Sequence, residues 1–228
     1  MKFVHIADVH LDVPFTVLEG KKISEKRRLE QRDALRSVVE YVRENNIPYM
    51  FICGDLYEHE YIRESTIDYI NKLFETILDT KIFIVPGNHD PFIKNSYYAK
   101  YSFAKNVKIF TEKIEKVEEG DICIYGYGFE DFYLKNADYE NIQIEDKNKI
   151  NILLTHGTLD GNKNDNDILY NPISKTTLKN IGFDYVGLGH IHKISFNDED
   201  NQRIVNPGSL VSLGFDELGK HRNDSAER

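Results

Sequence analysis

The chain has 228 residues, 40% of them hydrophobic, which is enough for the core of one large α/β domain. Its formal net charge of −9 argues against a strongly basic nucleic-acid footprint. No signal-peptide pattern opens the chain and no window nears the roughly 18 apolar residues of a membrane span, so we expect no membrane association and a cytoplasmic location.

Five short apolar runs that end abruptly in polar residues predict buried strands. They cover residues 3–7, 49–53, 82–85, 150–155 and 185–188. Between the first three runs, apolar residues at three- and four-residue spacing predict helices over about 24–46 and 63–78. This alternation is typical of a sheet with crossover helices. Cys53 and Cys123 lie inside apolar runs, which favours buried reduced thiols over a disulfide.

Beyond Pro91 the pattern loosens. We expect a short helix at SYYAKYSF, followed by short strands at NVKIF, KIEKV and DICIYGY. Two polar segments follow: a surface loop or marginal helix is expected at LKNADYENIQIEDKNK, and a loop at DGNKNDNDILYNP. Tyr97, Tyr98 and Tyr101 have two interpretations, since they could stack nucleotide bases or pack in the interior as aromatic residues at helical spacing usually do. No linker divides the chain, so we expect one domain over 1–219 and a truncated or disordered polar tail over 220–228.

Each of the five apolar runs is followed at once by His, Asp or Asn. In chain order these residues are Asp8, His10, Asp55, Asn88, His89, Asp90, His156, His190 and His192. Ligands bind at the C-terminal ends of strands in an open α/β sheet, so we expect these side chains to converge on one edge. The residues of the pairs Asp8–His10 and His190–His192 lie two apart, so each pair points to one side of an extended backbone and can hold a metal ion together. Nitrogen and oxygen donors without thiolate suit Mn, Fe or Zn in a catalytic site better than a structural zinc site.

The motif series Asp8-x-His10, Gly54-Asp55, Gly87-Asn88-His89-Asp90, His156 and Gly189-His190-x-His192 resembles that of the calcineurin-like metallophosphoesterases. The flanking segments HIADVHLDVPF, GDLYE, PGNHD, GLGHIHK and NPGSL look like the SbcD group of DNA-repair exonucleases, especially its YhaO-type bacterial members. The resemblance covers about residues 3–219. It implies an α/β fold in which helices flank a two-sheet β-sandwich and the metal site lies at the C-terminal ends of strands.

The resemblance also implies a role for each motif residue. One divalent ion would be held by Asp8, His10, Asp55 and His192, and the other by Asp55, Asn88, His156 and His190. Asp55 would bridge the two ions, which are expected to be Mn, with Fe or Zn as alternatives. His89 would stabilise or protonate the leaving group, with Asp90 as its orienting partner. A turn containing Asn206, Gly208 and Ser209 would lie beside the site and contact the phosphate of the substrate.

Two features depart from the nuclease pattern. Glu58 stands where the nuclease group commonly has His or Asp, a position associated with exonuclease action on duplex ends. The accessory DNA-capping region and the helical attachment for an SMC-like ATPase, which follow GFDELGKH in that group, have no counterpart in these 228 residues. The first departure makes the substrate mode uncertain. The second implies an isolated nuclease domain or a truncated chain, with an ATPase partner only if a C-terminal extension exists.

The leading functional hypothesis is therefore a Mn-dependent DNA exonuclease or endonuclease domain in DNA repair. A small-molecule nucleotide phosphodiesterase or phosphatase is the alternative, favoured by the acidic charge. A non-catalytic scaffold is disfavoured, because a scaffold need not keep His89 and the complete ligand set. The sequence does not determine the oligomeric state, and a homodimer is not excluded.

Overall fold

The computed structural model describes residues 1–15, 21–111, 113–133, 139–160, 170–199 and 202–213. The tail over 220–228, most of the loop predicted within 160–172 and the start of the segment 134–149 lie outside these ranges. Within them, none of the helices combines the length and the apolar character that crossing a bilayer requires.

The first sheet has four parallel strands in the order β1 (Phe3–Ile6), β2 (Tyr49–Cys53), β3 (Lys81–Val85) and β4 (Val107–Ile109). Helices α1 (Lys21–Glu44) and α2 (Glu64–Glu75) make the first two crossovers, and α3 (Tyr97–Lys100) lies in the third. The predicted positions of all these elements are confirmed. In α2, the spacing of Ile67, Ile70 and Phe74 places all three on its buried face.

The second sheet has six strands, and the chain between them adds two short strands and a helix. In chain order these elements are β5 (Glu115–Glu119), β6 (Ile122–Tyr127), β7 (Ile150–Thr155), β8 (Thr158–Leu159), β9 (Pro172–Ile173), α4 (Lys175–Ile181), β10 (Tyr185–Gly187), β11 (Ser195–Glu199) and β12 (Gln202–Asn206), with a 3₁₀ turn at Tyr139–Asn141. The sheet order is β11-β12-β10-β7-β6-β5, with antiparallel pairs only at its two edges, while β8 and β9 form a separate parallel pair. Four of these elements were not predicted from the sequence: β8, β9, α4 and the hairpin formed by β11 and β12.

The two sheets pack face to face because residues along β2 alternate between two apolar environments. Met50 and Ile52 point into the core between the first sheet and helices α1 and α2. Phe51 and Cys53 point into the core between the sheets, where they meet residues of β6 and β7 such as Ile124. A third core lies under α4 on the outer face of the second sheet. The predicted sandwich flanked by helices is therefore confirmed, and both cysteines are buried free thiols.

Candidate metal centre

The candidate ligands lie immediately beyond the C-terminal ends of β1, β2, β3, β7 and β10, where the chain leaves each strand. Among the described residues, three groups have ligand atoms within 4.8 Å of one another, and the third of them consists of His10, Glu58 and His89. The first is Asp8, His10 and His192, and the second is Asp55, His156 and His190. The structure thus divides these six side chains into the two sets that the family resemblance implies.

Asp55 lies between the two groups. Its Oδ2 atom is 3.6 Å from Nε2 of His10 and 3.3 Å from Nε2 of His156. Asn88 belongs with the second group, since its Oδ1 atom is 3.0 Å from Nε2 of His156 and 3.2 Å from Nδ1 of His190. Oδ2 of Asp55 therefore lies close to a histidine nitrogen in each of the two groups.

The orientation of two imidazole rings tests whether the site fits metal ions. Nδ1 of His156 donates to the carbonyl oxygen of Cys53 at 2.9 Å, and Nδ1 of His10 donates to Oε1 of Glu58 at 2.7 Å. In the neutral ring each donation leaves Nε2 with a lone pair. The lone pair of His156 faces the acceptor oxygens of Asp55 and Asn88, and that of His10 lies 3.1 Å from Nε2 of His192, which can donate to it only in the tautomer protonated at Nε2. Converging acceptors repel one another unless a proton or a cation lies between them, so the donor set fits divalent ions.

The pKa shifts of the histidines and of Asp55 arise from the same close contacts between imidazole rings and carboxylates. Burial alone would lower the pKa of His156, but the charges of Asp55 and Asp8 and the hydrogen bonds with Asp55 and Cys53 together raise it to about 9. Burial likewise opposes the raised pKa of His10, which the hydrogen bond with Glu58 and the nearby carboxylate charges produce together. Burial raises the pKa of Asp55, yet the neighbouring imidazoles, His156 first, together bring it far below its ordinary range. Without metal the carboxylates thus hold protons on the rings at positions that a cation can take over.

Several candidate ligands have a strained backbone. The φ angles of Asp8, His10, Asp55 and His190 are 53°, 51°, 54° and 93°, in the left-handed region that residues other than glycine rarely adopt. Such strain persists only where the surrounding structure enforces it, and it concentrates at functional sites. The expectation that Asp8–His10 and His190–His192 each lie on extended backbone is therefore wrong, since the chain turns sharply at these residues.

His89 lies outside the two groups that contain Asp8 and Asp55, and it forms the third group with His10 and Glu58. Its side chain is 44% exposed, and its Nδ1 atom donates to Oε2 of Glu58 at 2.9 Å. Burial lowers the pKa of His89, but the hydrogen bond with Glu58 and the charges of the nearby carboxylates together raise it to about 9. Glu58 therefore contacts both His10 and His89, one through each carboxylate oxygen. In the sequence, Glu58 could be identified only as a departure from a family pattern, and its hydrogen bonds with His10 and His89 were not predicted.

Asp90 does not orient His89, which corrects the expectation from the sequence. Its carboxylate is fully buried and accepts four hydrogen bonds, from the backbone amides of Asp55, Leu56 and Gly87 and from the hydroxyl group of Tyr98. These four donors use the acceptor capacity of both oxygens. Asp90 instead fixes the loops that carry Asp55 and Asn88.

The turn expected to contact substrate packs against a candidate ligand. The backbone amide of Gly208 donates to Oδ1 of Asn206 at 2.9 Å, and that of Ser209 donates to the carbonyl oxygen of His192 at 3.2 Å. An added Cβ at Gly208, whose φ is +70°, would lie 2.8 Å from that same carbonyl oxygen. The turn thus supports the backbone of His192, and its contact with substrate remains a prediction.

The contacts of Tyr97, Tyr98 and Tyr101 favour the packing interpretation. Tyr98, on α3, is buried, and its hydroxyl group donates to Asp90. Tyr97, also on α3, and Tyr101, which follows it, are partly buried and pack against the core between the first sheet and helices α1 and α2. The hydroxyl group of Tyr101 donates to Asp68 at 2.7 Å.

Comparisons with known proteins agree with this geometry. Residues 1–194 match the family model of the calcineurin-like phosphoesterases. The chain is 28% identical over 258 residues to the SbcD subunit of the SbcCD nuclease of Staphylococcus epidermidis, with 97% of this chain and 64% of that protein aligned. It is 23% identical over 229 residues to the uncharacterized metallophosphoesterase YhaO of Bacillus subtilis, with 96% of this chain and 55% of that protein aligned. The chain thus spans less than two thirds of the length of these curated relatives.

A solved structure shares the fold at lower sequence similarity. The protein TT1561 of Thermus thermophilus superposes with a TM-score of 0.53 at 12% identity, over 91% of this chain and 89% of that one. At this identity the similarity concerns the fold alone.

Proposed function

This chain belongs to the calcineurin-like phosphoesterase family, and from that premise we propose that it cleaves phosphodiester bonds of DNA with two divalent metal ions, as a nuclease module in DNA repair. The observation that carries the proposal is the position of Asp55, whose Oδ2 atom lies within 3.6 Å of a histidine nitrogen from each candidate ligand group. The relative named as a nuclease subunit supports DNA as the substrate class.

In this proposal the protein holds the ions and supplies a proton. When bound, two divalent ions would activate a water molecule and neutralise charge on the phosphoryl oxygens. Asp55 would help to hold both ions, while Asp8, His10 and His192 would hold one of them and Asn88, His156 and His190 the other. Glu58 fixes Nδ1 of His89, which leaves Nε2 of this half-exposed ring as the nitrogen that can hold a proton for the leaving oxygen.

A small-molecule nucleotide phosphodiesterase is the second candidate. The net charge of −9 favours it, because DNA binding depends on neutralising many phosphates at once. The same charge leads us to expect weak duplex processing at physiological salt. Activated diesters and single-stranded DNA should be the substrates that are cleaved most readily.

The test is metal analysis followed by a substrate panel. We expect about two transition-metal ions per chain at saturation, and fewer at both positions in Asp55→Ala, because Asp55 is the shared residue. The panel compares bis(p-nitrophenyl) phosphate, single-stranded DNA, duplex DNA, cyclic nucleotides and phosphomonoesters, each with Mn, Fe, Zn or EDTA. Two tightly held ions in Asp55→Ala would contradict the site assignment. Hydrolysis of cyclic nucleotides or monoesters with no cleavage of DNA would favour the second candidate.

A further inference from the structure

A cavity of about 330 Å³ opens beside the metal centre and has aromatic walls. Glu58, Asn88 and His89 lie at its inner side, so it adjoins the group proposed to protonate the leaving oxygen. Most of its other lining residues carry rings: His59, Tyr61, Phe132, Tyr133 and Tyr170. A planar aromatic group attached to the scissile phosphate would meet these rings as it entered.

Two of the rings form a stacked pair, and one of them also contacts a candidate ligand. Tyr170 lies 5.2 Å from the ring of His190, and Tyr133 stacks on Tyr170 at 5.9 Å with an interplanar angle of 17°. Tyr133 is nevertheless 56% exposed, and Phe132 makes an edge contact with His59 at 5.7 Å. A large exposed ring in a stacked pair has area available for another planar group.

A second cavity, of about 440 Å³, is lined by Arg28, Arg32 and Arg63. Arg32 pairs with Asp12 at 3.1 Å, whereas Arg28 and Arg63 form no ion pair with any residue in the described part of the chain. One exposed carboxylate, that of Glu25, also lines the cavity. Asp12 lines the cavity as well. In a chain with a net charge of −9, two guanidinium groups without a carboxylate partner among the described residues favour a small site for an anion at this cavity.

Tyr61 joins the two cavities. Its side chain is 51% exposed and lines both of them. A ligand can therefore extend from the metal centre past Tyr61 to Arg63 and Arg28 without entering the protein interior.

We propose that these cavities bind one unpaired strand of nucleic acid, with a base on the rings of Tyr133 and Tyr170 and a neighbouring phosphate at Arg28 and Arg63. The combination of stacking rings with cationic groups along a backbone is the general chemistry of single-strand binding. A duplex does not fit it, because paired bases are already stacked on one another. The inference rests on the proposed function for the cleavage of the strand, and it adds the residues that bind the strand beyond the scissile phosphate.

The experiment measures binding and cleavage of two matched strands by the full chain. One strand is a fluorescein-labelled oligothymidylate, and the other has the same backbone without bases. Dissociation constants come from fluorescence anisotropy in EDTA, where no metal-dependent cleavage occurs, and kcat/KM is measured with Mn. The wild-type protein should bind the strand with bases more tightly.

Tyr133→Ala should weaken binding of the strand with bases by roughly 5- to 150-fold, the range for the loss of one stacked base, and leave the abasic strand unchanged. Tyr133→Phe, which keeps the ring, should behave like the wild type. The control Tyr41→Ala removes a tyrosine of equal 56% exposure on α1, outside both cavities, and should have no effect.

Arg28→Gln and Arg63→Gln should weaken both strands equally and lower the dependence of log Kd on log salt by about 0.7 for each phosphate that no longer has a cationic partner. Arg36→Gln is the control, since Arg36 pairs with Asp33 on the exposed face of α1. Equal affinity of wild type and Tyr133→Ala for the strand with bases would overturn the stacking site. An unchanged salt dependence in both arginine variants would overturn the phosphate site. Base-dependent binding without cleavage of any diester would refute the proposed function and leave this inference standing.

Discussion

At the scale of single residues, Glu58 connects a candidate metal ligand with the candidate proton donor. Each of its carboxylate oxygens accepts a hydrogen bond from a ring, one from His10 and one from His89. Such partners fix the tautomer and the direction of the rings they contact.

Replacing Glu58 by Gln should therefore lower both metal affinity and turnover, each by about 10- to 100-fold, the usual effect of losing a partner behind a ligand. Isothermal titration with Mn and steady-state kinetics on an activated diester measure the two effects. Glu44→Gln, at the exposed C-terminal end of α1 and outside both cavities, is the control and should change neither. Wild-type values in Glu58→Gln would show that the two hydrogen bonds do not orient the rings.

His89→Ala should separate catalysis from metal binding. His89 forms a group with His10 and Glu58 but not with Asp55, and its Nδ1 atom is bonded to Glu58, so metal content should stay at the wild-type level. Turnover should fall by about 10²- to 10⁴-fold, the range for a positioned acid or base. Metal content is measured by elemental analysis, and kcat is measured on the same preparation. Loss of metal together with activity would make His89 a ligand and contradict this division of roles.

At the scale of elements, the centre depends on a close approach of two strand ends. A Cβ added at Gly189, just after β10, would lie 1.9 Å from the carbonyl oxygen of Cys53 and 2.7 Å from Nδ1 of His156. Those two atoms form the hydrogen bond that orients the ring of His156.

Gly189→Ala should thus destabilise the protein by about 1–3 kcal/mol through overpacking and also weaken metal binding. The matched control is Gly120→Ala, where φ is +60° and nothing lies within 4 Å of the added Cβ. That control should lose about 1–2 kcal/mol from left-handed strain alone, with metal affinity unchanged. Denaturant unfolding and Mn titration of both variants distinguish the two effects, and wild-type metal affinity in Gly189→Ala would refute the argument.

The strands that carry the candidate ligands could be predicted from the sequence because each is a short apolar run that ends in a polar residue. Their convergence followed from the rule that ligands bind at the C-terminal ends of strands. The β11–β12 hairpin was missed because β11, with the sequence SFNDE, carries no apolar alternation and pairs only at a sheet edge. The partner of His89 was missed because it lies 31 positions away in the chain, while Asp90 is its immediate neighbour. Contacts set by loop conformation leave no periodic signal.

At the scale of the whole molecule, bound ions should raise thermal stability, because they bind only the folded arrangement of these groups. At a metal concentration of about 100 times Kd the stabilisation is about 2.7 kcal/mol. For a chain of this size each kcal/mol corresponds to about 2–4 °C. We expect the melting temperature in saturating Mn to exceed that in EDTA by about 5–10 °C, as measured by differential scanning calorimetry. Asp55→Ala should show a much smaller difference, and equal melting temperatures of the wild type in both buffers would contradict the prediction.

The hydrogen bonds from the amide of His190 to the carboxylate of Asp8 join residues 182 positions apart, and Ala7 pairs with Ser209. During synthesis, the first strand therefore emerges from the ribosome long before the segments that complete its surroundings. Contacts so distant in sequence form slowly and late in folding. Interactions absent from the folding transition state change the rate of unfolding rather than the rate of folding. Metal ions bound at this centre should accordingly lengthen the lifetime of the folded chain without hastening its formation.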